Sequence, residues 1–519
     1  MFKDNGKKIA LNTVVIYAKM FIQIVVSLYT VRILLESLGV DYFGVFTLSA
    51  GIMALFSFLN SAMSVSTQRY LSYYQGADEP KIQAKIFSSS IVLHFAISVI
   101  TILFLLVIMP FLFDQWLNID DAYILNAKYL YLCMLVSLFF TIMSVPFVGV
   151  LYSRENVLID SALIILQTVL KLLAAFYLTQ YPYTERLSVY GQALTLISLV
   201  VFLSYCVYCM TRYDECKLKM DSFEFSKLKE MTLFAVWNLY SNLCYVLNNQ
   251  GLNIIINIFL GTAANAAYGV SSQVNGQVRE LSLSLVRVLN PQIMKSEGMN
   301  NRQRMLNISM LATKLGFFLV SIVTIPALFS MPKILDIWLT NVPVLTSNIC
   351  IFLLISTMIN QTTVGINSAM LAIGNIKRFQ MYIGTIALLT LPLSYLMLEM
   401  YTSIYPLLGV LIIIELVTGG VKVGFFCSAS KIGIRSYLEN CILRLCTPLI
   451  LLFSLQWVFY TYFNEVLTNL QYLLISVFLM LLLYTPSYYI FALSHHERII
   501  FNDILKAIIK RLPKRVQNA

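Results

Sequence analysis

The hydrophobic pattern of this chain is a succession of long apolar stretches separated by short polar gaps. A bilayer's hydrocarbon core is about 30 Å thick, and a helix rising about 1.5 Å per residue needs roughly 20 apolar residues to cross it. Stretches of that order run over residues 9–35, 42–70, 86–113, 123–151, 157–179, 187–210, 231–260, 266–289, 305–331, 345–373, 379–401, 405–430, 441–463 and 470–493. The pattern predicts an all-α, polytopic membrane protein with about fourteen transmembrane helices.

Cations fall in alternate gaps. The first, third, fifth and later odd gaps hold few, chiefly Arg186 and Lys333, beside Asp114, Asp120, Asp121 and Asp336. The even gaps are basic, with Lys81 and Lys85, then Arg154, then Arg212, Lys217, Lys219, Lys227 and Lys229. Lys295, Arg302 and Arg304 follow, then Lys377 and Arg378, then Lys431 and Arg435. Both ends belong to the same set, through Lys3, Lys7 and Lys8 and through Lys506, Lys510, Arg511, Lys514 and Arg515. Because cytoplasmic loops keep the excess of Lys and Arg, both termini are expected inside.

Composition agrees: 59% of residues are hydrophobic and 12% charged, against roughly 25% charged in a soluble domain. The formal charge of +11 follows from loop placement and attraction to anionic inner-leaflet lipid, so nucleic acid is not expected as a partner. The first apolar stretch is too long for a cleaved signal peptide and is expected to remain as a helix.

Chemistry-bearing motifs are scarce. Nine cysteines are scattered, and the C-x-x-C of Cys206 and Cys209 has no histidine or second pair beside it, so these read as buried small apolar residues. His495, His496 and Glu497 do not have the H-E-x-x-H spacing of a zinc site. His94 sits among Ser90, Ser98 and Thr101, where it suits helix packing more than proton carriage. No Walker loop, dinucleotide fingerprint or nucleophile elbow occurs, so neither ATP hydrolysis nor a cofactor is expected.

The chain reads as internally duplicated with a shift near 225 residues. Leu38-Gly39 and Tyr42-Phe43-Gly44-Val45 are matched by Leu260-Gly261 and Ala267-Tyr268-Gly269-Val270, and Gln75-Gly76 by Glu297-Gly298. Six spans per copy bring both copies in the same way up, related by an axis along the membrane normal with a cleft between them. The expected division is a six-helix bundle over 1–230, a second over 231–440, two extra spans over 441–494 and a cytoplasmic tail over 495–519. In the tail Ile500, Ile504, Ile508 and Leu512 recur every fourth residue among Lys506, Lys510 and Arg511, an amphipathic basic helix suited to the inner leaflet.

An ionisable side chain facing lipid at midplane costs at least about 2.5 to 3.5 kcal/mol, so such groups should face the bundle interior or a wet cavity. Asn12, Lys19, Gln23 and Thr30 share one face of the first span, and Ser57, Asn60, Ser64 and Thr67 one face of the second, with Gln68 and Arg69 nearby. Asn238, Asn242, Asn249 and Asn253 line the seventh span, with Asn248, Gln250 and Asn257 beside them. Gln273, Gln277, Glu280, Ser284 and Arg287 line the eighth, beside Arg279. Spans one, two, seven and eight are therefore expected to line a hydrophilic cavity, although amides also serve as interhelical hydrogen-bonding groups. Arg69, Arg287, Lys314 and Lys422 lie close enough to the inner interface to snorkel, whereas Lys19 and Arg279 sit deeper. Glu280 is placed to neutralise an arginine, and Glu415 and Lys422 to pair with each other.

Amides suit sugars and cations suit a diphosphate. Outward movement of such an anion is helped by a negative interior potential, by about 2.3 kcal/mol per charge per 100 mV. With fourteen spans, a sixfold duplicate and the run Asn12-Thr13, Tyr29-Thr30-Val31-Arg32, Leu38-Gly39 and Tyr42-Phe43-Gly44-Val45, the chain resembles the Wzx-type polysaccharide flippases. These handle O-antigen and capsule repeat units within the multidrug/oligosaccharidyl-lipid/polysaccharide (MOP) exporter superfamily. The resemblance implies a V-shaped pair of six-helix bundles in the bacterial inner membrane, plus two C-terminal helices that form a lipid-tail groove. It implies alternating access and an undecaprenyl-diphosphate-linked oligosaccharide as substrate, with Lys19, Arg69 and Arg279 as the cavity cations by span. Glycosyltransferases and a polysaccharide polymerase of the same pathway are the implied partners of a monomer, and a coupling ion, H+ or Na+, is left open. A drug or cation antiporter of the same fold should prefer acidic cavity residues. A polysaccharide polymerase or ligase should carry a large outer loop, where this chain has loops of about a dozen residues.

Overall fold

A computed structural model describes residues 2–113, 121–217, 225–339, 342–464, 466–494, 497, 498 and 502. At 2–10, 28, 40, 41, 54, 55, 57–61, 121, 122, 225 and 262 it describes the backbone alone. The regular elements are all helical. They are α1 (Phe2–Leu55), α2 (Ser57–Gly76), α3 (Pro80–Phe111), α4 (Asp121–Ser153), α5 (Val157–Tyr177) and α6 (Arg186–Arg212), followed by α7 (Phe225–Gly298), α8 (Arg302–Trp338), α9 (Thr346–Gln361) and α10 (Val364–Ile373). The remainder are α11 (Lys377–Met400), α12 (Ile404–Ser430), α13 (Ile434–Tyr437), α14 (Leu443–Phe463) and α15 (Asn469–Phe491).

Two of these helices are interrupted. α1 breaks at Gly39 (φ 71°, ψ 175°) and α7 at Gly261 (φ 79°, ψ −176°), a backbone region open essentially to glycine alone. Each long helix is therefore two limbs joined by one residue.

Among the described residues eleven helices are long and apolar enough to cross a membrane, or twelve if α9 and α10, bent by 42° at their junction, form one span. That is fewer than the fourteen apolar spans expected. The other two do not qualify: the stretch over 42–70 is divided between the short apolar end of α1, Tyr42–Met53, and the polar α2, and the limb of α7 beyond Gly261 is helical but too polar. They carry Thr67, Gln68 and Arg69 in one case and Gln273, Asn275, Gln277, Arg279 and Glu280 in the other. The remaining helices turn large apolar side chains outward, Val107 at 68% and Leu474 at 64% exposure among them, as lipid-facing helices must. The chain is a multi-pass membrane protein.

Within each unit the loops group as the charge pattern requires. In the basic set, Asn12 donates to the Glu155 carbonyl, Arg154 pairs with Glu215, and Arg302 reaches the Ala429 carbonyl. In the cation-poor set, Asn126 donates to the Thr184 carbonyl, Arg186 to the Ser37 carbonyl, Lys333 to the Asn464 carbonyl and Asn348 to the Tyr405 hydroxyl. The basic turns also share a backbone device: Asp78, Glu155, Asn300, Gly374 and Lys431 each take positive φ just past a helix. At Glu155 and Asn300 the next residue's N–H returns to a carbonyl five positions back, Asn156 to Leu151 and Asn301 to Ser296. This closure satisfies the last carbonyls of the helix and reverses the chain in three residues.

The described chain divides into two compact units, Asn12–Leu239 and Met1–Leu11 with Tyr240–Ala519. In the first, Leu34, Leu38 and Tyr42 of α1 pack with Leu130 and Tyr131 of α4 and Leu187 and Tyr190 of α6. In the second, Phe317, Val320 and Leu335 of α8 pack with Leu445 and Leu452 of α14 and Tyr484 and Tyr488 of α15. α9 and α10 meet α8 at Gly365, whose N–H donates to Thr313 Oγ1 at 3.0 Å.

Candidate functional site

Polar residues in the second unit converge because Gly261 lets both limbs of α7 face one space. Tyr245, Asn248, Asn249 and Asn253 reach it from the limb before the break, and Ser272, Asn275 and Arg279 from the limb after it. α9 adds Ser356, Thr357 and Asn360, α11 adds Thr390, and α12 adds Glu415 and Thr418 around a cavity of about 360 Å³.

The lining groups are held by specific hydrogen bonds. Asn253 Nδ2 donates to the Asn249 carbonyl at 3.1 Å, and Thr357 Oγ1 to Asn275 Oδ1 at 2.6 Å. Asn360 Nδ2 donates to Glu415 Oε1 at 2.6 Å, so the carboxylate is fixed by α9. Asn248 Oδ1 is buried with no hydrogen-bond partner among the described residues, an acceptor open to a donor. Arg279 is more than a third exposed, and among the described residues no carboxylate lies within 4 Å of it. Amides and hydroxyls that both donate and accept match sugar hydroxyls, and an unpaired guanidinium matches phosphate or carboxylate.

Of the residues expected at a site, Asn249, Asn253 and Arg279 are brought together here. Gln273 and Gln277 are exposed and Asn242 half-buried, none of them in this lining. Glu280 pairs with Arg287 at 2.8 Å, so the expected neutralisation is made by Arg287. Lys314 is buried against Glu497 and faces a separate cavity.

In the first unit Lys19 is buried 3.7 Å from Asp160 Oδ2, and that carboxylate also accepts from Tyr205 (3.0 Å) and Tyr152 (3.2 Å). Arg69 is buried over the rings of Tyr70 (4.6 Å), Phe234 (4.9 Å) and Tyr73 (5.6 Å), a cation–π cage. Gln23 is half-buried. The side chain of Asn60 and the tail beyond residue 502 lie outside the described residues.

Sequence reasoning missed Asp160, Asn275, Thr357 and Asn360. Asp160 had a signal, since a carboxylate in the first turn of an apolar helix needs a partner and Lys19 needed one too. Thr357 and Asn360 had none, because their role depends on which helices become neighbours. His94 has Nδ1 2.7 Å from the Ser90 carbonyl, and its Nε2 is buried without a partner among the described residues. Among the described residues no group of three His, Cys, Asp or Glu could hold a metal ion. Cys216, outside the spans, has its thiol pushed well up by contact with Cys209 and by burial, which makes it a poor nucleophile or ligand.

No family model and no curated protein matches the chain. Solved structures share its fold. A crystal structure of MATE in the straight conformation superposes with a TM-score of 0.71 at 15% identity, covering 82% of this chain and 97% of that one. An outward-facing multidrug resistance MATE family transporter of the MOP superfamily gives 0.71 at 14%, covering 83% and 97%. A MOP superfamily transporter from Pyrococcus furiosus, whose reverse-polarity binding pocket suggests a different function, gives 0.70 at 13%, covering 83% and 96%. The chain has the fold of MATE transporters of the MOP superfamily, and identities this low establish the fold alone.

Proposed function

We propose that this protein is a flippase, moving undecaprenyl-diphosphate-linked oligosaccharide repeat units from the cytoplasmic to the periplasmic leaflet of the bacterial inner membrane by alternating access. The observation that carries the reading is Arg279, a cation without an ion-pair partner among the described residues, set in a cavity whose other polar groups are amides and hydroxyls apart from Glu415, which Asn360 holds. Such a lining exchanges hydrogen bonds with several sugar hydroxyls, and the guanidinium offsets phosphate charge during passage. In this reading the protein is a transporter and not an enzyme, both termini are cytoplasmic, and it needs no resident cofactor. The glycosyltransferases that build the repeat unit and the polymerase that consumes it would be its pathway partners.

A second reading, a drug or cation antiporter, has one specific observation in its favour: Glu415 lines the same cavity. The two separate by charge. The purified chain is reconstituted in liposomes with a fluorescent lipid-linked oligosaccharide, and its arrival in the opposite leaflet is read with an impermeant glycosidase. Loss of a hydrogen bond to a charged group is worth about 1.5 to 3 kcal/mol, so Arg279→Gln should slow flipping by about tenfold or more while Glu415→Gln keeps most of the rate. The opposite ranking, together with efflux of an organic cation by the wild type, would replace the flippase with the antiporter.

A further inference from the structure

The second unit holds another polar cavity, of about 380 Å³, formed from different residues. It lies beside the Lys431 turn, on the side of the basic loops, between the first turns of α8, the α13–α14 junction and the turn after α15. Gln303, Asn307 and Lys314 reach it from α8, Ser436, Asn440 and Arg444 from the junction.

Its charges are unevenly matched. Lys314 is only 2% exposed, and its Nζ donates to both oxygens of Glu497 at 3.0 and 2.7 Å. The Glu497 carboxylate also accepts the Ser494 N–H at 2.7 Å, so it is fixed over the lysine. That leaves Arg444, half-buried in the lining, with no ion-pair partner among the described residues. Around it the groups are neutral donors and acceptors: Gln303 Nε2 donates to Asn307 Oδ1 at 3.1 Å, and Asn440 Nδ2 to the Ser436 carbonyl at 3.0 Å. A guanidinium fork in a ring of amides beside a second, shielded cation is the chemistry that holds a phosphate.

We propose that this cavity is a phosphate-binding site, taking the phosphodiester of an anionic lipid headgroup or inorganic phosphate, with Arg444 as the first ligand and Lys314 held back by Glu497. Glu497 then acts as a built-in competitor. Neutralising it frees a second cation and strengthens binding, while removing the Arg444 fork weakens it. The site is independent of the Arg279 cavity and stands whatever that cavity carries.

The test uses the full chain in nanodiscs of a zwitterionic phospholipid. Native mass spectrometry counts retained phosphatidylglycerol after titration, and the unfolding midpoint is followed in inorganic phosphate against chloride at equal ionic strength. Arg444→Gln should lose about tenfold in affinity and Glu497→Gln should gain, each a change of roughly one to two charge-assisted hydrogen bonds. Phosphatidylglycerol retention without a phosphate shift identifies the lipid as the source, and a phosphate-dependent shift identifies the free ion. Should Glu497→Gln fail to fold, Arg444→Lys decides, since it keeps the charge and should bind between the wild type and Arg444→Gln. Equal retention of phosphatidylglycerol by the wild type, Arg444→Gln and Arg444→Lys, with no phosphate shift in any, would overturn the proposal.

Discussion

Gly39 and Gly261 hold the same backbone conformation 222 residues apart, φ 71° with ψ 175° in one and φ 79° with ψ −176° in the other. The same shift relates Asp78 to Asn300, at φ 59° and 56°, and Pro110 in α3 to Pro332 in α8. What repeats is the punctuation of the backbone: a break inside a long helix, a left-handed residue in the following turn, and a proline far along the next helix. Most side chains between these marks differ, because each unit packs its own interior.

The two break glycines differ in what surrounds them. A Cβ on Gly39 would fall 2.5 Å from the Tyr183 hydroxyl, whereas one on Gly261 would meet nothing within 4 Å among the described residues. Both Gly→Ala changes should cost about 1 to 3 kcal/mol from the backbone conformation alone, with Gly39→Ala costing more. Removing the hydroxyl with Tyr183→Phe should recover part of the loss in Gly39→Ala and none in Gly261→Ala. Unfolding midpoints in detergent measure this, and equal costs at both sites would show that the Tyr183 approach is immaterial.

Much of the architecture could be read from local pattern. The span positions, the alternating cations and the Leu38-Gly39 and Leu260-Gly261 breaks depend on residues close in sequence, where hydropathy and glycine speak directly. The site was less legible. Asn249, Asn253 and Arg279 stood out as polar residues in an apolar run, but Thr357 and Asn360 join them only because α9 packs across α7 and α12. Glu415 takes its hydrogen bond from Asn360 on another helix, and not from Lys422, seven residues along its own. The polar runs of α2 and the second limb of α7 read as spans by length, yet their amides and charges require protein or water on several sides.

The buried pair of Lys19 and Asp160 ties α1 to α5, with side chains only 7% and 2% exposed. Lys19→Met strands a carboxylate that keeps, among the described residues, its two tyrosine donors, and leaving one partner of a buried pair unmatched costs about 3 to 5 kcal/mol. Asp160→Asn should cost comparably through the stranded ammonium. The double variant should be more stable than either single one, since neither charge then remains. A double-mutant cycle on unfolding midpoints reads the coupling, and purely additive losses would show that the two groups do not interact.

Arg186 and Lys333 are the chief exceptions to an otherwise cation-poor side, and each is engaged with a carbonyl. Arg186 donates to the Ser37 carbonyl at 2.7 Å, just before the Gly39 break, and Lys333 to the Asn464 carbonyl at 2.6 Å while lying over the Tyr472 ring at 4.3 Å. Arg186→Gln should therefore loosen the α1 break locally, raising amide exchange around residues 37–43 by about tenfold or more, in line with about 1.5 to 3 kcal/mol for a charged hydrogen bond. Lys333→Gln should do the same near Asn464 and leave the α1 break untouched. Unchanged exchange at both places would reduce these cations to solvent-facing charges.

A close backbone approach with a predictable cost is at Gly365, where α10 begins against α8. A Cβ there would sit 1.9 Å from the Ser309 carbonyl oxygen and 2.5 Å from Thr313 Oγ1, the acceptor of the Gly365 N–H. Neither neighbour is the free end of a long side chain, so relief requires separating α10 from α8 and losing that hydrogen bond. Overpacking of this kind usually costs about 1 to 3 kcal/mol, and backbone contact places Gly365→Ala at the upper end or beyond. Gly409 in α12 supplies the control, with nothing within 4 Å of an added Cβ. There alanine should stabilise by about 0.5 to 1 kcal/mol, because glycine in a helix interior surrenders more backbone freedom on folding. Opposite signs for the two substitutions, read from unfolding midpoints of the full chain, are the expected result. A Gly365→Ala protein as stable as wild type would mean that α8 and α10 do not close on each other at this point.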